Sequence, residues 1–208
     1  MSSTIASPMN SPAATLPRAK GVAAPGWLLA QGAERYSSSG IWIGVFAITM
    51  SFAAFTSALF VREGTADWGH LALPSVLYVN TLVLLTSSGT LELARHALRE
   101  SKGRTGAWVF VTLLLGLAFC AGQYRAWLDL RTQGFYLATN PNSSFFYVLT
   151  CMHALHVLAG ILVLVYLAGR LAASQTTFRL SLFRNAAIYW HFLAVLWMYL
   201  LMLCRMKL

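Results

Sequence analysis

The chain has 208 residues, of which 58% are hydrophobic and only 10% are charged, and its mean hydropathy is +0.63. This balance excludes an ordinary soluble domain and indicates that most side chains face lipid or other apolar helices. The formal net charge is +9, but the basic residues are scattered between apolar runs. Because they do not form a phosphate-tracking surface, no nucleic-acid partner is expected.

Residues 1–39 contain Pro8, Pro12, Pro17 and Pro25 among many Ser and Ala residues. They include no unbroken apolar run of the length found in a signal peptide. A segment of this composition cannot bury a hydrophobic core. We therefore predict a mobile polar tail on the cytoplasmic side.

Residues 40–208 divide into five apolar stretches of about 20 residues, the length with which an α-helix crosses a hydrocarbon core. Short segments rich in Arg, Gly, Pro and Asn separate the stretches and mark turns. The sequence therefore predicts an all-α fold, a polytopic bundle of five transmembrane helices. The predicted spans are 40–61, 73–93, 106–127, 144–169 and 185–204.

The distribution of basic residues predicts the orientation of the bundle. Of the 15 Lys and Arg residues, ten lie in the tail and in the second and fourth connections, and five lie in the other connections and at the C-terminus. Basic residues are enriched on the cytoplasmic side because they resist translocation. We expect a cytoplasmic N-terminus and an external C-terminus.

Polar residues on the second span recur at helical intervals. Asn80 and Ser87 are seven residues apart, as are Thr81 and Ser88, and Glu92 lies four residues beyond Ser88. These intervals place the side chains on one stripe. The stripe is interpreted either as a proton or polar-ligand path that ends at Glu92, or as helix-to-helix hydrogen bonding. We favour hydrogen bonding and keep Glu92, at the water interface, as a candidate proton-surface group.

Thr150, His153, His156 and Gly160 lie on one face of the fourth span, at intervals of three, three and four. With His191 on the fifth span, they suggest a haem or metal between two helices. The depths disagree, since His156 lies ~20 Å from the cytoplasmic end of its helix and His191 only ~10 Å. We expect the histidines to hydrogen-bond to neighbouring helices, with a metal site and a protonation role as alternatives.

The fifth span carries the run Tyr189, Trp190, His191 and Phe192, followed two turns after Trp190 by Trp197. Aromatic residues near the end of a span usually form an interfacial belt. Trp197 lies nearer the middle, so we expect it to pack against a neighbouring helix or a lipid chain.

Three cysteines lie inside apolar stretches, and none forms a C-x-x-C pair with another. Neither a disulfide framework nor a zinc site is predicted. The chain also offers no two convincing axial histidines, no copper cluster and no quinone-like site. We therefore assign no catalytic, cofactor-binding or metal-binding residue to this chain.

Four motifs follow one another between residues 42 and 197. They are Pro74 followed by Asn80-Thr81 and a Leu-rich step into Ser87-Ser88, then Gln123 with Trp127, then the histidine motif of residues 150–157, then the block 189–192 with Trp197 beyond it. In order, spacing and residue type they resemble the motifs of the haem-copper oxidase subunit III family. One such motif is weak evidence, but four in order are specific.

The resemblance implies a five-helix bacterial form of a non-catalytic subunit in the inner membrane. Such a subunit binds beside subunit I, which holds the haems and copper, contacts other subunits and binds phospholipid. It supports assembly and sustained proton uptake in aerobic respiration, within a complex that couples electron transport to proton translocation. The expected helix-packing or subunit-interface residues are Asn80, Ser87, Ser88, Gln123, His153, His156, Tyr189, Trp190, His191 and Trp197.

Three departures from the family pattern involve carboxylates. Many members carry a buried glutamate on the first of these helices, where this chain has residues 49–52 without an acid, and further acids at the positions of Ala126 and Ala194. A proton role for those groups does not carry over. The alternatives are the same fold in a quinol oxidase or nitric oxide reductase, and a small transporter whose polar stripe lines a substrate path.

Overall fold

The computed structural model describes residues 26–63, 73–100, 103–136, 141–173 and 179–207. They form five helices: α1 (Gly26–Glu63), α2 (Val76–Arg99), α3 (Thr105–Thr132), α4 (Pro141–Ala172) and α5 (Arg179–Lys207). Each helix contains a segment long and apolar enough to cross a membrane. The predicted all-α fold with five transmembrane helices is confirmed, and no strand occurs in the described residues.

The helices are longer than the apolar stretches that predicted them. Helix α1 begins at Gly26, within the predicted tail, so residues 26–39 are helical, whereas residues 1–25 lie outside the described part. Helix α5 likewise begins at Arg179, earlier than the predicted start near residue 185. Hydropathy marks only the hydrocarbon core, while the backbone hydrogen-bond ladder continues through the polar membrane interface.

Helices α2, α3, α4 and α5 form a closed ring in which each packs against the next and α5 returns to α2. Among the described residues, α1 packs against α4 and α5 only, outside the ring. Asn80 on α2 is hydrogen-bonded to Phe119 on α3, and Thr90 on α2 to Thr112 on α3. The later residue of α2 thus pairs with the earlier residue of α3, so the two helices run antiparallel. The core of the protein is therefore the interior of a four-helix ring, with α1 attached at one side.

The outer face of the bundle is apolar and suits a lipid environment. Hydroxyl groups on this face donate to the carbonyl four residues earlier in the same helix, as Thr49 does to Val45 (2.8 Å) and Thr86 to Leu82 (2.8 Å). A hydroxyl bonded in this way exposes no unsatisfied donor to hydrocarbon. With five apolar helices, this surface is that of a multi-pass membrane protein.

Small residues let the helices of the ring approach closely. A Cβ atom added to Gly122 on α3 would lie 1.9 Å from Oδ1 of Asn80 on α2. The Asn80 side chain thus occupies the space above a glycine backbone, and its amide donates to the Phe119 carbonyl (3.1 Å). Close backbone approach at glycine is a common basis of helix association in membranes.

We predict that Gly122→Ala lowers the free energy of unfolding by about 1–3 kcal/mol, because the new methyl group overlaps the Asn80 amide. Gly89→Ala is the matched control, since no atom lies within 4 Å of the added Cβ and Ala is the better helix former by about 1 kcal/mol. Thermal unfolding of the purified protein in detergent measures both. Equal unfolding midpoints for the two variants would contradict the contact.

Candidate functional site in the ring interior and at the end of helix α2

Trp190 connects all four helices of the ring. From α5, its indole Nε1 donates to Ser87 Oγ on α2 (3.1 Å), and that hydroxyl donates in turn to the Leu84 carbonyl (2.7 Å). A Cβ atom on Gly116 of α3 or Gly160 of α4 would lie 2.9 and 3.1 Å from the indole ring. The indole of Trp190 therefore packs against the backbone at both glycines, and one hydrogen bond orients it.

Trp197, two turns further along α5, makes a similar set of contacts. Its Nε1 donates to Thr81 Oγ1 on α2 (3.0 Å). Its ring centroid lies 5.0 Å from that of Phe119 on α3 and 5.1 Å from that of His153 on α4. Both tryptophans, which the sequence selected as packing candidates, lie in the ring interior and are 1% exposed.

Further polar contacts join neighbouring helices, and the residues of two of the four pairs, Thr90 with Thr112 and Thr56 with Tyr199, were not singled out from the sequence. Thr90 on α2 and Thr112 on α3 share a hydrogen bond (2.9 Å). Additional bonds are those of Trp127 Nε1 to Thr150 Oγ1 (3.0 Å), Tyr189 OH to the His156 carbonyl (3.1 Å) and Tyr199 OH to Thr56 Oγ1 (3.0 Å). Threonine and tyrosine are frequent in spans, so only the register between helices would have identified these pairs.

Two of the three candidate histidines, His153 and His156, make no side-chain hydrogen bond to another helix in the described residues. His153 is fully buried, and within the described residues neither of its ring nitrogens has a hydrogen-bond partner. His156 donates from Nδ1 to the Met152 carbonyl of its own helix (2.6 Å). His153 lies against the aromatic rings of Phe119 and Trp197, which offer no lone-pair acceptor. Hydrogen bonding of these two imidazoles to neighbouring helices therefore stays a prediction.

Gln123 is the other buried polar residue without a partner in the described part of the chain. It is 1% exposed and lies one helical turn from both Phe119 and Trp127 on α3. Those two residues contact His153 and Thr150 on α4. Gln123 therefore lies on the same face of α3 as Phe119 and Trp127, one turn from each.

A second polar cluster lies where α2 ends. The His191 imidazole is hydrogen-bonded through Nδ1 to the Ser88 hydroxyl and lies 3.5 Å through Nε2 from the Glu92 carboxylate. Glu92 also pairs with Arg95 at 3.2 Å, and its side chain is 53% exposed. A carboxylate, an imidazole and a hydroxyl thus form one connected group that begins at the surface, and we call these three residues the Glu92 cluster.

In the described residues, no group of three or more His, Cys, Asp or Glu side chains is placed to hold a metal ion. Ser87, Thr81 and Asn80 of the ring interior contact other helices, whereas Glu92 is more than half exposed. Together, the ring, its tryptophan connections and its apolar outer face define a polytopic α-helical membrane protein.

A sequence model of the family described as "Cytochrome c oxidase subunit III" matches residues 37–206. The chain belongs to this family, whose members are subunits of multi-subunit oxidase complexes of the respiratory chain. This confirms the resemblance drawn from the four motifs.

Individual relatives cover most of the chain. The cytochrome c oxidase subunit 3 of Alkalihalophilus pseudofirmus is 32% identical over 168 residues, covering 77% of this chain and 82% of the relative. The subunit of the same name from Synechocystis is 32% identical, covering 80% of this chain and 70% of the relative. The cytochrome bo(3) ubiquinol oxidase subunit 3 of Pseudomonas aeruginosa is 34% identical, and the match covers 76% of this chain and 78% of the relative.

We predict that Ser87→Ala lowers the free energy of unfolding by about 1–3 kcal/mol, because the buried Trp190 Nε1 then loses its acceptor. Ser51→Ala is the matched control, since the Ser51 hydroxyl is exposed and bonds only the Ala47 carbonyl of its own helix (3.0 Å). Tryptophan fluorescence during thermal unfolding reports both variants. A loss of unfolding free energy in Ser51→Ala as large as that in Ser87→Ala would argue against the Trp190–Ser87 hydrogen bond.

Proposed function

We propose that this chain is the non-catalytic subunit III of a proton-pumping haem-copper terminal oxidase of the cytochrome c oxidase type. The observation that carries the proposal is the family match over residues 37–206, which includes almost the whole membrane part. In the proposal the haems and copper belong to the partner subunit I, and this chain supports assembly, lipid binding and sustained proton uptake.

The structural role follows from where the polar groups lie. Ser87, Thr81 and Asn80 of α2 are each engaged by a side chain or backbone group of α3 or α5. Groups used in this way fix the shape of the ring. A ring of fixed shape presents a constant apolar surface to a neighbouring subunit and to lipid.

A quinol oxidase subunit is the second candidate. Relatives named as ubiquinol or quinol oxidase subunit 3 match as well as those named for cytochrome c oxidase, including that of Bacillus subtilis at 30% identity over 178 residues. Subunit III does not carry the electron-donor site in this proposal. The haem types of the purified complex and the donor that it oxidises separate the two candidates.

We further propose that the Glu92 cluster takes part in proton uptake at the cytoplasmic surface of a bacterial inner membrane. In the orientation with a cytoplasmic N-terminus and an external C-terminus, α2 ends on the cytoplasmic side. Glu92 is more than half exposed there and lies within 3.5 Å of His191. A carboxylate next to an imidazole retains and exchanges protons close to the membrane surface.

Purification in mild detergent tests the main proposal. When the chain is purified through an affinity tag, we expect a haem-bearing partner to copurify with it. The partner is identified by its reduced-minus-oxidised visible spectrum. A chain that migrates alone, or one that binds haem without a partner, would contradict the assignment. A chain that migrates alone and binds solute would favour the transporter alternative.

We predict that Glu92→Gln slows steady oxygen consumption by a few-fold at alkaline pH, where protons are scarce, and leaves it nearly unchanged at acidic pH. Glu100→Gln is the control, because Glu100 lies on the same end of α2 but pairs with His96 (3.3 Å). Turnover of the purified complex across pH is the measurement. A uniform loss at every pH, or loss of the haem-bearing partner, would point to a structural role instead.

A further inference from the structure

Two neutral polar side chains inside the bundle have hydrogen-bonding atoms without a partner among the described residues. Gln123 on α3 lacks a partner at both its amide oxygen and its amide nitrogen, and His153 on α4 lacks one at both ring nitrogens. Gln123 is 1% exposed and His153 is fully buried. Most buried polar groups of native proteins are hydrogen-bonded, because leaving one unpaired is costly, so these two call for a partner.

Contacts between α3 and α4 lie on both sides of Gln123. One turn before it, the Phe119 ring lies 5.9 Å from the His153 ring, centroid to centroid. One turn after it, Trp127 Nε1 donates to Thr150 Oγ1 (3.0 Å), and Thr150 lies one turn before His153 on α4. Because Gln123 shares a face of α3 with Phe119 and Trp127, its amide lies between two contacts that reach this short stretch of α4.

The polar side chains on this stretch donate their protons to other groups. The Trp197 ring lies 5.1 Å from that of His153, but its Nε1 donates to Thr81 Oγ1 (3.0 Å). The Thr150 hydroxyl donates to the Phe146 carbonyl of its own helix (2.7 Å). Neither donor therefore serves the imidazole or the amide.

A partner from outside the bundle would have to reach far into it. Gln123 lies nine residues before α3 ends at Thr132, and His153 lies twelve residues after α4 begins at Pro141. At the helical rise these intervals correspond to about 14 and 18 Å. A lipid or a neighbouring subunit touches only the exposed faces of the helices. A molecule that bonds to these atoms must therefore be small enough to lie inside the ring.

We propose that Gln123 and His153 bind water inside the ring, with at least one molecule bridging the amide to the imidazole. Water suits both groups because it donates and accepts, as do the amide and an unprotonated imidazole. A buried water makes about three hydrogen bonds to groups that otherwise lack them. Ala126, on the same buried face of α3, presents only a methyl group beside the amide. This water site is independent of which oxidase the chain belongs to.

The first test replaces Gln123 by methionine, which has a similar length and volume but no strong hydrogen-bonding group. Thermal unfolding is measured on the purified full chain together with the partners that copurify with it. If water bonds to the amide, Gln123→Met removes buried hydrogen bonds, and we expect the unfolding midpoint to fall by about 3–8 °C. If the amide bonds to nothing, methionine removes an unfavourable buried polar group, and the midpoint rises.

Gln133→Met is the matched control, because Gln133 follows α3 directly and is exposed. We expect its midpoint to stay within about 2 °C of that of the unmodified protein. His153→Phe and the double variant Gln123→Met/His153→Phe complete a cycle. A shared water is lost with the first substitution, so the double variant should lose less than the sum of the two single losses.

A density map of the unmodified complex, at a resolution that shows ordered water, provides a second measurement that needs no variant to fold. We expect density for a water molecule within about 3.2 Å of both the Gln123 amide and a ring nitrogen of His153. Three results would overturn the water site. They are an unchanged or raised midpoint in Gln123→Met, additive losses in the cycle, and a map with a direct Gln123–His153 hydrogen bond or no density between the two.

Discussion

The indole of Trp190 is the contact on which the architecture depends. In lipid, apolar surface alone does not drive helices together, so close packing and hydrogen bonds must fix their arrangement. Trp190 provides both, because its ring lies against Gly116 and Gly160 while its Nε1 donates to Ser87. One side chain thereby sets the separation of α3, α4 and α5 and the register of α2.

The register between neighbouring helices could not be predicted from the sequence. Length and hydropathy predicted five spans, and the spacing of Asn80, Ser87, Thr81 and Ser88 predicted a polar face on α2. The partners across that face depend on how far each helix slides along its neighbour. Pairs such as Thr90 with Thr112 follow only from three-dimensional packing, since each threonine alone resembles many others in the spans. Helix ends were also underestimated, because hydropathy does not report the interfacial turns.

His153 and Gln123 show a second limit of sequence reasoning. A buried histidine or glutamine in a span is expected to find a hydrogen-bond partner, because an unsatisfied polar group is costly in an apolar environment. Both are buried at the α3–α4 interface, and neither side chain has a partner in the described residues. The neighbours of His153 are the aromatic rings of Phe119 and Trp197. Residue type predicted a helix-packing or subunit-interface role for both, but it could not predict the chemistry of the surrounding groups.

The positions where the family pattern led us to expect carboxylates bear on where charge can reside in this bundle. Ala126 is fully buried and Ala194 is 3% exposed, so an acid at either position would need a partner inside the protein. Glu92 on α2 and Glu100 directly after α2 lie instead toward that end of the helix, each beside a histidine. Exposed and paired charge of this kind costs far less than unpaired charge in the ring interior. The helices of the ring are therefore joined by neutral hydrogen bonds such as those of Trp190 and Trp197, while the carboxylate of Glu92 remains exposed outside the ring interior.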